Sequence, residues 1–244
     1  MFDDILTPMN HREIEYTAKR LSGCDIPDSF QEEQQLLYNK NILLKWLDET
    51  GKRVFDDDLV MDYGTDCLRL YLLFEQTPKE NDAPYYDSWQ EGALEGIYKF
   101  LGRYRRMILA ADAWNRCGHY NNEETLSDDG VHRIRTALET TDVKLRTYIN
   151  RGNTMPNRHN IVAVLMELLN TFQRELKIGQ VLTSFHAHVV ESAVPHCDIE
   201  EKSLAAQMQC DRRNACVTGL CREYIKRIAP YAPDLSKILW KAFL

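Results

Sequence analysis

No stretch of the 244 residues approaches the roughly eighteen consecutive apolar side chains that a membrane helix requires. The first residues, Met1-Phe2-Asp3-Asp4, are acidic where a secretion signal would be basic. A membrane protein is therefore excluded by this reading, and a soluble cytoplasmic one is expected. Glycine-rich phosphate loops and nucleophile-bearing turns are also missing, so no catalytic residue and no cofactor is assigned. Period-two alternation is scarce, which excludes a β-rich fold, and no internal repeat or low-complexity tract occurs. Seven cysteines, an odd number with no framework spacing, fit reduced thiols better than a disulfide scaffold.

The apolar residues that are present recur at helical spacing. Ile161, Val164, Leu165, Leu168, Leu169 and Phe172 form the clearest amphipathic stripe, and Leu94, Ile97, Tyr98, Leu101 and Ile108 form another along a helix expected from a Ser88 cap to about Cys117. Ser127 caps a third long helix reaching about Tyr148. Shorter helices are expected over His11–Leu21, Phe30–Glu49, Leu59–Glu75 and Leu235–Leu244, with a long one over Ile199–Ile228. Gly179–Val194 reads equally as strand or helix. Gly23–Pro27, Pro78–Pro84, Gly118–Asp129 and Arg151–Pro156 are connections. The fold class is all-α, a helical bundle with a small N-terminal helical appendage.

Charge divides the chain. Residues 1–98 carry 9 Lys/Arg against 21 Asp/Glu, whereas residues 99–244 carry 21 against 16. A basic body behind an acidic head can offer phosphate a local face in spite of the net charge of -7. Lys99, Arg103 and Arg106 share one helix face with Arg105 beside them, and Lys144, Arg146, Arg151 and Arg158 surround a helix end and the loop after it. Both sets suit a phosphate backbone; the first also suits a solvated helix face paired with Glu91 and Glu95, and the second the favourable placement of cations at a helix C-terminus. Arg222, Lys226 and Arg227 lie near a helix C-terminus, where cations are favourable for dipole reasons alone. Cys210, Cys216 and Cys221 have the wrong spacing for a zinc site, and His186 and His188 lack a carboxylate at matching spacing, so no metal is expected.

The run Met61-Asp-Tyr-Gly-Thr-Asp-Cys-Leu-Arg-Leu-Tyr-Leu-Leu-Phe74 resembles the YGADxLRLYxLF signature of class Ia leucyl-tRNA synthetases. Trp89 to Arg106, with glycines at 92 and 96, is similar to the family's next helix. Asn160–Asn170 looks like its NTAIAALMELVN helix, and Ile228–Trp240 like its LAPFAPHLAEELW ending. Four matches in the family's order are far more specific than any one. The resemblance covers roughly residues 45–177 and 220–244, and leaves 1–40 and 178–215 unexplained.

The resemblance implies a stem-contact segment over residues 1–84 and an anticodon-binding-type helical bundle over 85–244, as in the C-terminal region of a truncated synthetase paralogue. It also implies a degenerate ATP-binding lysine loop at Lys45-Trp46-Leu47-Asp48-Glu49, with Gly51 at the family's glycine. Asp48 replaces the second lysine, and a carboxylate there repels triphosphate and departing pyrophosphate. No HIGH-type His-x-Gly-His occurs, and about forty-four residues ahead of the loop are too few for a nucleotide domain. The expected function is non-catalytic binding of tRNA or aminoacyl-tRNA through the bundle. Two alternatives remain open: a protein-interaction module, homodimeric or partner-binding, built on the acidic N-terminal segment, and the C-terminal half of a split synthetase acting in trans.

Overall fold

A computed structural model describes residues 61–75, 91–116, 126–150, 159–180, 182–183 and 204–242, and among them no strand occurs. Among the described residues six helices carry the fold: α1 Thr65–Glu75, α2 Glu91–Arg116, α3 Asp128–Asn150, α4 His159–Glu175, α5 Leu204–Ile228 and α6 Pro233–Ala242. The protein is an all-α bundle. The helices expected over His11–Leu21 and Phe30–Glu49 lie outside the described residues, as does most of the ambiguous Gly179–Val194 stretch, of which residues 179–180 and 182–183 are helical.

Local chemistry explains the helix ends. The Ser127 hydroxyl accepts the Gly130 N–H at 3.1 Å, the N-cap expected from the sequence, and Asp128 and Asp129 add negative charge to the first turn of α3. Pro233 opens α6, where its missing N–H costs nothing. The helix expected over Leu59–Glu75 is interrupted: Gly64 takes φ 78°, a left-handed conformation that an L side chain resists, and its carbonyl accepts the Leu68 N–H at 3.2 Å to start α1. A glycine inside the signature run is thus a hinge between two helical segments.

Packing follows the stripes. All six apolar positions of the α4 stripe are buried, and so are Leu94, Ile97, Leu101 and Ile108 of α2, while Tyr98 is partly buried and stacks edge-on with Tyr63 at 5.7 Å. At the centre, Tyr224 of α5 lies 5.3 Å from Tyr104 of α2 and 5.0 Å from Phe172 of α4, ring centre to ring centre. Their polar ends are satisfied: the Tyr224 hydroxyl donates to the Leu165 carbonyl at 3.3 Å, and the Tyr104 hydroxyl meets Ser236 Oγ of α6 at 3.4 Å. Helix α1 adds Leu68, Leu70 and Tyr71 to the same core and packs on α2, α4 and α6. Each such large apolar side chain contributes about 1.5–3 kcal/mol on burial.

Two polar links cross this core. Asp66 of α1 accepts the Leu235 N–H of α6 at 2.9 Å and the Arg69 guanidinium at 2.9 Å, while Arg69 also lies 3.6 Å from Asp234. The first and last of the family-like stretches therefore form one hydrogen-bonded unit, in which Asp66 caps a helix that begins far along the chain. Burial, aided by repulsion from Asp234, pushes the Asp66 carboxyl up to about 7 against the opposing pull of the Leu235 N–H and Arg69. On the other side of the bundle, Arg227 of α5 binds Asp142 of α3 at 2.6 Å and Glu223 at 2.9 Å. That cation sits near the C-terminus of α5 as the dipole argument requires, and it also ties two helices together.

Candidate nucleic-acid interface

The cations singled out in the sequence fall on adjoining helices. Lys99 is exposed and pairs with Glu95 one turn earlier at 2.7 Å. Arg103 lies partly buried across the α2–α4 junction, where one terminal nitrogen donates to the side-chain oxygens of both Asn170 and Gln173. Arg105 is half-buried, and Arg106 and Arg146 are exposed. Lys144 of α3 reaches Glu167 of α4 at 2.7 Å. Arg151 and Arg158 lie outside the described residues, as do Lys45, Asp48 and Gly51 of the degenerate loop.

Helix α4 brings the two sets together. Glu167, the partner of Lys144, and Asn170, a partner of Arg103, are three residues apart and both exposed, so they lie one turn apart on the same ridge. Ala163 and Arg174 continue that ridge. The stripe on α2 and the cations of α3 thus approach a single surface from opposite sides of α4. In the sequence alone they stand as separate clusters.

The partners decide how much charge each cation retains. Lys99 and Lys144 each face a carboxylate, in exposed pairs of the kind that contribute little and yield readily to competing ions. Arg103 is held by two uncharged amides. Such a clasp fixes the guanidinium without neutralising it, an arrangement suited to a phosphate.

A second arrangement was missed by the sequence reading. Glu175, largely buried at the end of α4, accepts two hydrogen bonds from Arg133, at 3.0 and 2.8 Å, and one from Arg174 at 2.8 Å. The Arg133 bonds, foremost, hold the Glu175 carboxyl below its ordinary value against the effect of burial. This clamp stands at one end of a groove of about 440 Å³ between α3 and α4, lined also by Thr136, Thr140, Thr171 and Lys144. The signal was available in part, because antiparallel pairing of α3 with α4 brings the start of one against the end of the other.

The third basic cluster is engaged within the protein. Arg227 is committed to Asp142 and Glu223, Lys226 to Glu223 at 2.6 Å, and the Arg222 guanidinium lies 5.6 Å from the centre of the Trp240 ring. Cys221 is buried and Cys216 partly so, with Arg135 Nη2 3.9 Å from the Cys216 sulfur. Burial pushes the Cys221 thiol far up. Among the described residues no three His, Cys, Asp or Glu side chains are grouped to hold a metal ion, while His186 and His188 lie outside them. No described helix is long and apolar enough to cross a membrane.

Comparison with known proteins relates the chain to leucine–tRNA ligases. It is 26% identical to that of Magnetococcus marinus over 186 residues, which are 76% of this chain and 17% of the ligase. With the Petrotoga mobilis ligase it shares 25% identity over 221 residues, 88% of this chain and 22% of the relative. With the Hamiltonella defensa ligase it shares 25% over 183 residues, 75% and 16% respectively. The chain thus spans about a fifth of the length of the curated relatives it matches. No family model and no solved structure matches it.

Proposed function

We propose that this chain is a non-catalytic, leucyl-tRNA synthetase-like protein that binds tRNA or aminoacyl-tRNA through its helical bundle, using the surface that α2, α4 and α3 share. One observation carries the reading. Arg103, clasped by the neutral side chains of Asn170 and Gln173, retains its charge at the place where the two cationic stripes converge. Arg106 extends the surface along α2, and Lys99 and Lys144 can exchange weak carboxylate partners for phosphate. Arg105, Arg146, Arg151 and Arg158 belong to the same proposed interface. In this proposal residues 85–244 form the binding bundle, and residues 1–84, a stem-contact-like segment, contribute α1 to its core.

The non-catalytic part rests on Asp48 standing, by resemblance, where the family's lysine loop has its second lysine, beside Lys45 and Gly51. A carboxylate there opposes the charge that develops on pyrophosphate. Leucine-dependent pyrophosphate exchange by this chain is expected to be absent, and measurable exchange would overturn that part alone.

Binding is tested by filter titration of the full chain against total tRNA at low and at physiological salt. The expected result is an affinity that falls steeply with salt, and weaker binding with a shallower salt slope for Arg103→Gln/Arg106→Gln. No binding at low salt would remove the proposal. The charge of residues 1–98 favours a second reading, in which an acidic surface serves a protein partner or a second copy. A stable assembly without RNA in light scattering after size exclusion would favour it.

A further inference from the structure

The groove between α3 and α4 lies on the other side of the α4 ridge from Arg103, and its chemistry differs from that of a plain cationic patch. Arg133 and Arg174 share the single carboxylate of Glu175, so the three groups together carry one net positive charge. Arg133 uses Nε and Nη2 on Glu175, and Arg174 uses Nε, so terminal N–H groups of both guanidiniums remain to meet a ligand. Glu175 fixes both and is itself largely buried.

Along the groove the hydroxyls of Thr140 and Thr171 each donate their only proton to the backbone, to Thr136 O at 2.8 Å and Glu167 O at 3.2 Å. Their oxygens therefore present lone pairs to the groove, which suits a donor and not an anion. Lys144 stands eleven residues beyond Arg133 on the same helix, about 16 Å away at 1.5 Å per residue, and pairs at 2.7 Å with Glu167, an exposed carboxylate of the groove lining that a phosphate must displace. Cations at both ends with acceptors between them match a polymer whose anionic groups alternate with hydroxyl donors.

We propose that this groove binds the sugar–phosphate backbone of RNA, the Arg133–Arg174 pair and Lys144 taking phosphates and the Thr140 and Thr171 oxygens accepting hydrogen bonds from ribose 2′-hydroxyls. The proposal rests on the RNA-binding reading and sharpens it, because only the 2′-hydroxyl separates RNA from DNA at such a site.

The test measures anisotropy of a labelled RNA stem-loop and of the all-deoxy strand of the same sequence, titrated with the full chain. The wild-type chain should prefer RNA about tenfold. Arg174→Gln, which leaves Arg133 on Glu175, should weaken both strands and lower the salt slope by about one. Thr140→Val with Thr171→Val should leave the salt slope unchanged and remove most of the preference for RNA. Both threonines sit on the helix surface and the exchange preserves shape, and unchanged circular dichroism checks the fold. Wild-type binding that none of these substitutions alters would overturn the groove while leaving the bundle's RNA binding intact. Absence of wild-type binding to the stem-loop and to total tRNA alike would overturn both. Equal competition by adenosine monophosphate and by the stem-loop would assign the groove to free nucleotides and overturn the backbone proposal.

Discussion

Replacing Asp66 by asparagine tests the link between α1 and α6. The carboxyl is pushed up from 3.8 to about 7, so the folded chain keeps a proton that the unfolded chain releases over that interval. Its contribution to stability is complete below the unfolded value and is lost as pH rises through about 7. At about 1.4 kcal/mol per pH unit, the loss is bounded at about 4 kcal/mol. Asparagine imitates the protonated acid: its oxygen still accepts the Leu235 N–H, and Arg69, deprived of one partner, can turn to Asp234, 3.6 Å away. Asp66→Asn should therefore equal or slightly trail the wild type near pH 4 and surpass it above pH 7 by several kcal/mol. Urea denaturation across that range, followed by far-ultraviolet circular dichroism, reads the difference directly. A wild-type chain that gains on the variant as pH rises would refute the reasoning, since it would mean that the α6 amides and Arg69 outweigh burial and hold the carboxylate charged.

Three further outcomes follow from the packing. Phe172→Ala removes a fully buried ring beside Tyr224, and should cost about 3–5 kcal/mol in the same denaturation experiment. Gly64→Ala forces a side chain onto φ 78° and should cost about 1–2 kcal/mol without altering helix content. Arg227→Met deprives Asp142 of its partner on α5 and should cost about 2 kcal/mol, most of which disappears when Asp142→Asn is already present. Additive effects of that last pair would show that the link between α3 and α5 is not a direct one.

Helical periodicity in the sequence reveals which face of each helix is buried, and so the α4 stripe and the Ser127 cap agree residue for residue with the structure. It does not reveal which helix a face meets. Asp66 reads as one acid in a signature run, and only the fold sets it against Leu235, 169 residues away. Gly64 illustrates the opposite difficulty: the residues around it favour helix, and the break comes from one φ angle that periodicity does not register. The candidate surface was legible to the same extent. Lys99, Arg103, Arg106 and Lys144 were visible as cations, but the neutral clasp on Arg103 and the sharing of Glu175 by two arginines depend on side chains from other helices.

The cap on α6 also sets an order of events during synthesis. Chains emerge from the ribosome at about 5–20 residues per second, so Leu235 follows Asp66 by roughly 8–34 s. Throughout that interval α1 can assemble with α2 and α4, but its carboxylate has no amide to cap and stays hydrated. Tyr104 likewise waits for Ser236, which arrives with the same helix. The central layer of the bundle is therefore completed by a segment made 169 residues after α1, and docking of α6 both dehydrates Asp66 and closes the core over Tyr104.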